Sequence, residues 1–438
     1  MKSPDARLGL IDMHPTRHPE QTDHDPGQLH AFARDVALQL RRKGHQSLFA
    51  GGCVRDRLLG RVPKDYDIAT SARPEEVEQT FRGRDTYTVP VGAAFGVICV
   101  VDPKTKIQVE VATFRSDGAY LDGRRPVNVT FSTPQEDAQR RDFTINGLFL
   151  DPESDQIIDY VDGRKDLDAQ LVRAIGDPRA RFTEDKLRLL RAIRFTATLG
   201  FTLAENTQAA IAQMPEALRM VSAERITGEL EKMLLDKRRA EGLQLLHDVG
   251  LLPMLFPENI NLFGDKAFAD VLAIEAHLTT PSFPLTLAPL LAAVTDSHGA
   301  KQLAKAWRMS SRDATRISWL VEHFTALHMA ASRPWPEVQR LLIHDGHDEL
   351  LGLLAAQAAC GQVDANDLAF CRERVAWPRE KLNPPPLLNG DALIAAGFEP
   401  SKRFAALLDA VRDAQLEGTL SSPEDAIRYA KKIVAKIG

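Results

Sequence analysis

The sequence predicts an α+β protein: a small mixed β-sheet head near the N-terminus, followed by an all-α neck, body and tail. Three observations carry that expectation. A glycine turn joins a short apolar run to a helical segment at residues 47–59, and a second strand-like run follows at once. Short β-rich runs continue to about residue 150. From about residue 183 onward helical periodicity dominates to the end.

In chain order, residues 1–28 read as a mobile tail, because Pro, His, Asp, Thr and Gln crowd residues 3–28 with little to bury. Residues 30–43 have the spacing of an amphipathic helix. Ser47–Ala50 reads as a strand, Val54–Leu59 as a helical segment and Tyr66–Ala69 as a second strand. Further β-rich runs fall at Phe95–Val101, Ile107–Phe114 and Thr144–Leu150. The helical part is punctuated by Pro253, Pro257, Pro281 and Pro284, and most densely by Pro384-Pro385-Pro386. The expected division is therefore a head over 29–150, a neck over 151–257, a body over 258–383 and a tail over 384–438.

Composition sets bounds. A chain of 438 residues is long enough for more than one domain. It contains no run approaching the roughly 18–20 apolar residues of a membrane span and no signal-peptide core. Cys53, Cys99, Cys360 and Cys371 are scattered without zinc-ligand spacing, as expected of reduced thiols in the cytoplasm. The net charge of −5 argues against indiscriminate RNA binding, so any RNA contact needs local positive charge. Such charge exists: Arg179, Arg181, Lys186, Arg188, Arg191 and Arg194 face only Glu184 and Asp185 in that stretch.

Gly51-Gly52 lets the backbone turn tightly and approach a ligand, and the helical turn after it offers free N–H groups to an anion. Asp65 and Asp67 alternate with Tyr66, so both carboxylates leave the strand on one side. Two carboxylates beside a phosphate-cradling turn suit a divalent metal and a nucleoside triphosphate. Either half alone is ordinary, since D-x-D is commonly solvated charge and G-G is commonly just a turn. In Ile107–Val111, alternation puts Ile107, Val109 and Val111 on one face and Glu110 on the other with Gln108.

Asp185 and Arg188 stand three apart on an expected helix in which Leu189, Ile193 and Ala197 recur every four residues. As an ion pair they are worth under about 0.5 kcal/mol. As base readers they do more. Cytosine and adenine each present an amino donor beside a ring-nitrogen acceptor; a carboxylate accepts from the first and a guanidinium donates to the second. Uracil and guanine set a carbonyl against the carboxylate, a mismatch that discriminates strongly.

Joined, these stretches resemble the family of class II tRNA nucleotidyltransferases (CCA-adding enzymes) and bacterial poly(A) polymerases. The motifs are GGxVRD with D-x-D, Val109–Arg115 as VEVxTFR, Arg140–Asn146 as RRDFTIN with Gly147 where Ala is usual, Glu184–Phe195 as EDxxRxxRxxRF, and Ser222–Leu230 as SxERIxxEL. They span roughly residues 47–257.

The resemblance implies a Mg2+-dependent transfer of C and A from CTP and ATP to the tRNA 3′ end without a nucleic-acid template. It gives Asp65 and Asp67 to the metal, and makes Glu110 the third carboxylate, as a base or a partner of the ligands. Nucleotide contacts fall to Gly51, Gly52, Arg55, Arg141, Asp142 (at the ribose), Asp185, Arg188, Arg191 and Arg194. Arg115 and Asp117, with Asp122–Pro126, correspond to a flexible loop that acts as a lever in full CCA adders, and Val91–Gly96 also looks closer to those enzymes. Asn389–Pro400 and Gln415–Gly418 resemble the part that grips the tRNA elbow, with a departure at Ser401–Phe404. An A-adding specialist or a poly(A) polymerase remains open as an alternative, as does a non-catalytic RNA-binding protein, although no motif residue is missing. An adenylyltransferase acting on a small molecule or a protein would share the D-x-D but would not need the Asp185/Arg188 helix or a long helical body. His323, His328, His344, Asp345 and His347 lack convincing phosphohydrolase spacing. Oligomeric state is not legible.

Overall fold

The structure is a computed structural model and describes residues 25–83, 85–92, 96–118, 129–257, 264–400 and 404–437. The tail up to residue 24, residues 93–95, the loop stretch Asp122–Pro126 and Ser401–Arg403 lie outside the described residues. The chain divides after Asp185 into two compact units.

The first unit opens with α1 (Pro26–Arg42), four residues earlier than the amphipathic spacing suggested. The reason is local: the Asp25 carboxylate accepts from the Gly27 N–H at 3.1 Å and Pro26 occupies the first helical position. Then come β1 (Ser47–Ala50), α2 (Gly52–Leu58), β2 (Asp67–Thr70), α3 (Pro74–Thr80), β3 (Tyr87–Gly92), β4 (Val97–Val101) and β5 (Gln108–Thr113). The hairpin β6 (Arg115–Asp117) and β7 (Val129–Phe131), α4 (Pro134–Gln139), β8 (Phe149–Leu150), β9 (Ile157–Ile158), α5 (Gly163–Asp168), the two-residue strand Leu171–Val172 and α6 (Pro178–Glu184) follow.

Seven strands form one mixed sheet in the order β3-β4-β5-β2-β1-β8-β9. Only the β2–β5 pair is parallel; the others run antiparallel. Ile107, Val109 and Val111 are buried while Glu110 is half-buried, so the period-two reading of β5 holds. Leu48, Ala50, Ala69, Phe114, Ala138 and Phe149 pack as one apolar cluster.

Thr144–Leu150 is not the strand its β-branched residues suggested. A 3-10 turn takes Thr144–Asn146, and only Phe149–Leu150 pairs in the sheet. Asp142 causes this: its carboxylate accepts from the Phe143 N–H at 2.8 Å and from Asn146 Nδ2 at 3.0 Å. Such a side-chain turn competes successfully with a ladder.

The second unit is helical in its main elements: α7 (Leu187–Leu199), α8 (Glu205–Ala212), α9 (Ala223–Leu234), α10 (Arg239–Asp248), α11 (Asp265–His277), α12 (Phe283–Ala292), α13 (Ser297–Ala306), α14 (Ser311–Glu322), α15 (Trp335–Leu342), α16 (His347–Ala359), α17 (Ala365–Val375), α18 (Arg379–Leu382), α19 (Gly390–Ala395), α20 (Phe404–Leu416) and α21 (Pro423–Ile437). One core gathers Ile274, Leu285, Leu320, Leu353 and their neighbours. Beyond Pro384–Pro386 a separate small core forms from Leu393, Leu407, Val411, Ala426 and Ala430. The histidines serve packing here: His344 stacks on Trp319 with centroids 4.0 Å apart, and His328 Nε2 lies 3.1 Å from Gln357 Oε1.

Candidate active site

Asp67 opens β2 and stands in register with Glu110 on parallel β5 and with Ala50 at the end of β1. That register brings the third carboxylate and the glycine turn to the same end of the sheet as the D-x-D. Tyr66 explains the outward pair. Its ring is buried against Phe49 at 5.2 Å and His30 at 5.3 Å, which turns Asp65 and Asp67 on either side of it to solvent.

The electrostatics agree. The Asp67 carboxyl is pushed up to about 7, first by the surrounding protein that displaces water, then by the negative charges of Asp65 and Glu110, with Arg141 pulling it down. Asp67 itself is solvent-accessible at the start of β2, where the three residues after it are buried. Behind it, burial, with Asp67 and then Asp65, pushes the Cys53 thiol up to about 12; that thiol also donates to the Ala50 carbonyl at 3.3 Å.

Gly51 makes the turn from β1 into α2 at φ 73° and ψ −126°, a conformation that side chains rarely adopt. A Cβ there would lie 2.9 Å from Arg141 Nη1. Gly52 has no such constraint: its nearest neighbour is Arg55 Nη2 at 3.8 Å. The Arg55 side chain turns inward, where Nη1 donates to Asn146 Oδ1 at 2.7 Å and the guanidinium pairs with Asp56 at 2.7 Å.

Arg141 is held by Asp137 at 3.0 Å and lies over the Phe149 ring at 5.1 Å. Asp142, engaged with Phe143 and Asn146, starts the turn described above. Arg115 and Asp117 pair with each other at 3.0 Å on β6.

The EDxxR stretch is not one continuous helix. α6 ends at Glu184, whose carboxylate pairs with Arg181 at 2.6 Å, and Asp185 takes extended backbone angles (φ −136°, ψ 105°) before α7 begins. The helical i,i+3 reason for placing Asp185 beside Arg188 therefore does not apply. Arg188 is buried on the first turn of α7. On the same helix Arg194 Nε lies 2.5 Å from Glu229 Oε2, and Arg191 Nη1 lies 3.4 Å from its Oε1. Sequence reasoning gave no role to Asp137, Asn146 or Glu229. Asn146 and Glu229 stand inside the RRDFTIN and SxERIxxEL motifs, and Asp137 had only its spacing of three and four from Arg140 and Arg141 as a signal.

Among the described residues no three His, Cys, Asp or Glu side chains converge into a metal-holding group. Two exposed carboxylates with a third in register are nevertheless the donor set Mg2+ uses, since it keeps several waters and shares its sphere with substrate phosphates. The residues present fit such an ion. No helix among the described residues is long and apolar enough to cross a membrane.

Comparisons with known proteins bear on the family. A family model described as the poly A polymerase head domain matches residues 47–173, and one described as a probable RNA and SrmB-binding site of polymerase A matches residues 200–261. The CCA-adding enzyme of Enterococcus faecalis is 33% identical over 406 residues, covering 91% of this chain and 95% of that protein. That of Geobacillus thermodenitrificans is 46% identical over 220 residues, 50% of this chain and 53% of its own. The crystal structure of the Bacillus stearothermophilus CCA-adding enzyme in complex with CTP superposes with a TM-score of 0.73 at 30% identity, covering 94% of this chain and 98% of that one. With a relative 33% identical over nearly the whole of both chains, the chain belongs to the CCA-adding enzyme family of nucleotidyltransferases.

Proposed function

We propose that this protein extends the 3′ end of tRNA with C and A taken from CTP and ATP, using Mg2+ and no nucleic-acid template. The observation that carries the reading is the register of Asp67 with Glu110 beside the Gly51 turn, with Arg141 behind it. Transfer in this family is metal-dependent. Asp65 and Asp67 would hold the metal, which supplies acidity at the attacking hydroxyl and charge neutralisation at the triphosphate.

The chain's own groups do the rest. The turn at Gly51 and Gly52 admits the triphosphate close to backbone N–H groups, and the Arg141 guanidinium offsets its charge. The bond from the RNA 3′-oxygen to the α-phosphorus forms as the bond to the β-phosphate oxygen breaks and pyrophosphate leaves. Glu110, beside Asp67, is placed to accept the hydroxyl proton or to hold the D-x-D in position. Asp142 contributes at the ribose, and Arg55 adds a nucleotide contact beside the glycine turn. Asp185 and Arg188 read the base edge, and Arg191 and Arg194 add contacts from α7. In this reading residues 29–150 act as catalytic head, 151–257 as neck, 258–383 as body and 384–438 as the part that grips RNA. Arg115 and Asp117 root the loop that adjusts the pocket between CTP and ATP. The reaction belongs in the cytoplasm, where tRNA, CTP and ATP meet.

Base selection provides the test. Asp185→Ala combined with Arg188→Ala should lower CTP and ATP incorporation and let UTP and GTP compete. Unchanged preference for C and A would remove the protein-template reading.

A further inference from the structure

We infer that Asp137 is a positioning residue for nucleotide binding, holding Arg141 in the pocket and tying it to the root of the β6–β7 hairpin. In sequence it is one more acidic residue on a short helix. In the structure its side chain is 1% exposed and lies between two arginines.

Both carboxylate oxygens are engaged. Oδ1 accepts from Arg140 Nε at 2.8 Å and from the backbone N–H of Arg115 at 3.3 Å. Oδ2 accepts from Arg141 Nε at 3.2 Å and from Arg141 Nη2 at 3.0 Å. One buried anion thus gathers two guanidinium groups and the first residue of β6. Burial alone would raise its carboxyl, but Arg141, then Arg140, hold it below the usual carboxylate range.

What Arg141 does with its remaining nitrogen gives the network its direction. With Nε and Nη2 on Asp137, Nη1 faces the glycine turn, 2.9 Å from where a Gly51 Cβ would be and 3.4 Å from the Asn146 carbonyl. The backbone of the same segment is fixed separately. Arg181 Nη2 donates to the carbonyls of Gln139 at 2.9 Å and of Arg141 at 2.8 Å. Main chain and side chain of Arg141 are therefore restrained by different residues, and Asp137 is the charged partner that holds two of the three guanidinium nitrogens. On the other side, Arg115 pairs with Asp117 at 3.0 Å, and Arg140 Nη1 approaches Asp117 at 3.9 Å. A displacement of the hairpin root is felt at Asp137 and so at Arg141.

The inference rests on the proposed reading of Arg141 as a nucleotide contact, and a double-mutant cycle separates the two. KM and kcat for CTP and for ATP would be measured on a tRNA acceptor for wild type, Asp137→Asn, Arg141→Ala and the double variant, with melting curves for each. Arg141→Ala is expected to raise KM about tenfold, and Asp137→Asn by several-fold, with kcat less affected than KM. The double variant should then be no worse than Arg141→Ala alone. Should KM changes multiply instead, Asp137 acts independently of Arg141 and the inference is overturned, while the role of Arg141 stands. An unchanged KM in Arg141→Ala overturns the reading of Arg141 and this inference with it. If Asp137→Asn fails to fold, Asp137→Glu, which keeps the charge and shifts it by one methylene, takes its place in the cycle: a double variant no worse than Arg141→Ala supports the inference, and multiplying KM changes overturn it.

Discussion

Gly51→Ala is the most informative single change, because its cost can be worked out from one torsion and one distance. At φ 73° and ψ −126° an L-residue pays backbone strain of about 1–3 kcal/mol. The new Cβ would also meet Arg141 Nη1 at 2.9 Å, closer than such contacts occur, so the guanidinium must move. Moving it loosens the hydrogen bonds to Asp137 at 3.0 and 3.2 Å, and a charged hydrogen bond is worth about 1.5–3 kcal/mol. Stability should therefore fall by at least about 1 kcal/mol, the strain alone, and by about 6 kcal/mol if one of the two bonds is lost outright, with a flexible side chain favouring the lower half. For a unit of this size each kcal/mol lowers Tm by about 2–4 °C. The assay pairs a thermal melt with single-nucleotide extension of a tRNA acceptor. KM for CTP should rise about tenfold for every 1.4 kcal/mol of lost triphosphate contact. Gly52→Ala is the control: its Cβ meets nothing closer than 3.8 Å, and stability should stay within about 0.5 kcal/mol of wild type or improve. Equal melts for both variants, with KM unchanged in Gly51→Ala, would refute the reasoning about the turn.

Other expectations concern charge. Asp67→Asn should abolish transfer without lowering Tm, since it removes a carboxylate whose ionised form the fold disfavours; near-normal turnover would remove the metal assignment. The sign of the linked pH effect follows. With its folded carboxyl raised to about 7, native Asp67 holds a proton that the unfolded chain has released, so metal-free stability should decline as pH rises from about 4 to about 7. Melts of wild type and Asp67→Asn across that window should diverge, and parallel curves would contradict the shift. Mg2+ binding, which needs the carboxylate, should tighten with pH up to about 7 and then level off, read by titration calorimetry. Glu229→Ala removes the buried carboxylate shared by Arg191 and Arg194 and should cost about 1.5–3 kcal/mol by chemical denaturation. Glu275 is fully buried, and neither of its carboxylate oxygens has a hydrogen-bond partner among the described residues; burial pushes its carboxyl well above the usual range, Arg239 opposing. Its cost grows as pH rises above the carboxylate range, so Glu275→Gln should raise Tm more at pH 8 than at pH 5. Equal gains at both would show the group is not held neutral.

The head was legible where one local rule decides the outcome. Alternation in Ile107–Val111 correctly turned Glu110 away from the buried valines, and Gly51 marked a turn that only glycine makes easily. Tyr66 between two aspartates gave the outward pair by the same period of two. What failed to show were places where a side chain competes with the backbone. Asp142 converted a β-branched stretch into a turn, and the end of α6 at Glu184 freed Asp185 from the helix its neighbours suggested. Asp137 was missed for a different reason. Its spacing from Arg140 and Arg141 is that of a surface pair, and only burial, which depends on tertiary packing, makes it the anchor of both.

The most direct test of the central claim is an extension gel with purified protein and Mg2+. The acceptors would be tRNA ending before CCA, after C and after CC, supplied with CTP, ATP or both. A protein that reads C and A with its own side chains predicts that all three acceptors finish at CCA and stop there. A single A added only to the CC acceptor, an unending ladder with ATP, or no extension at all would contradict it.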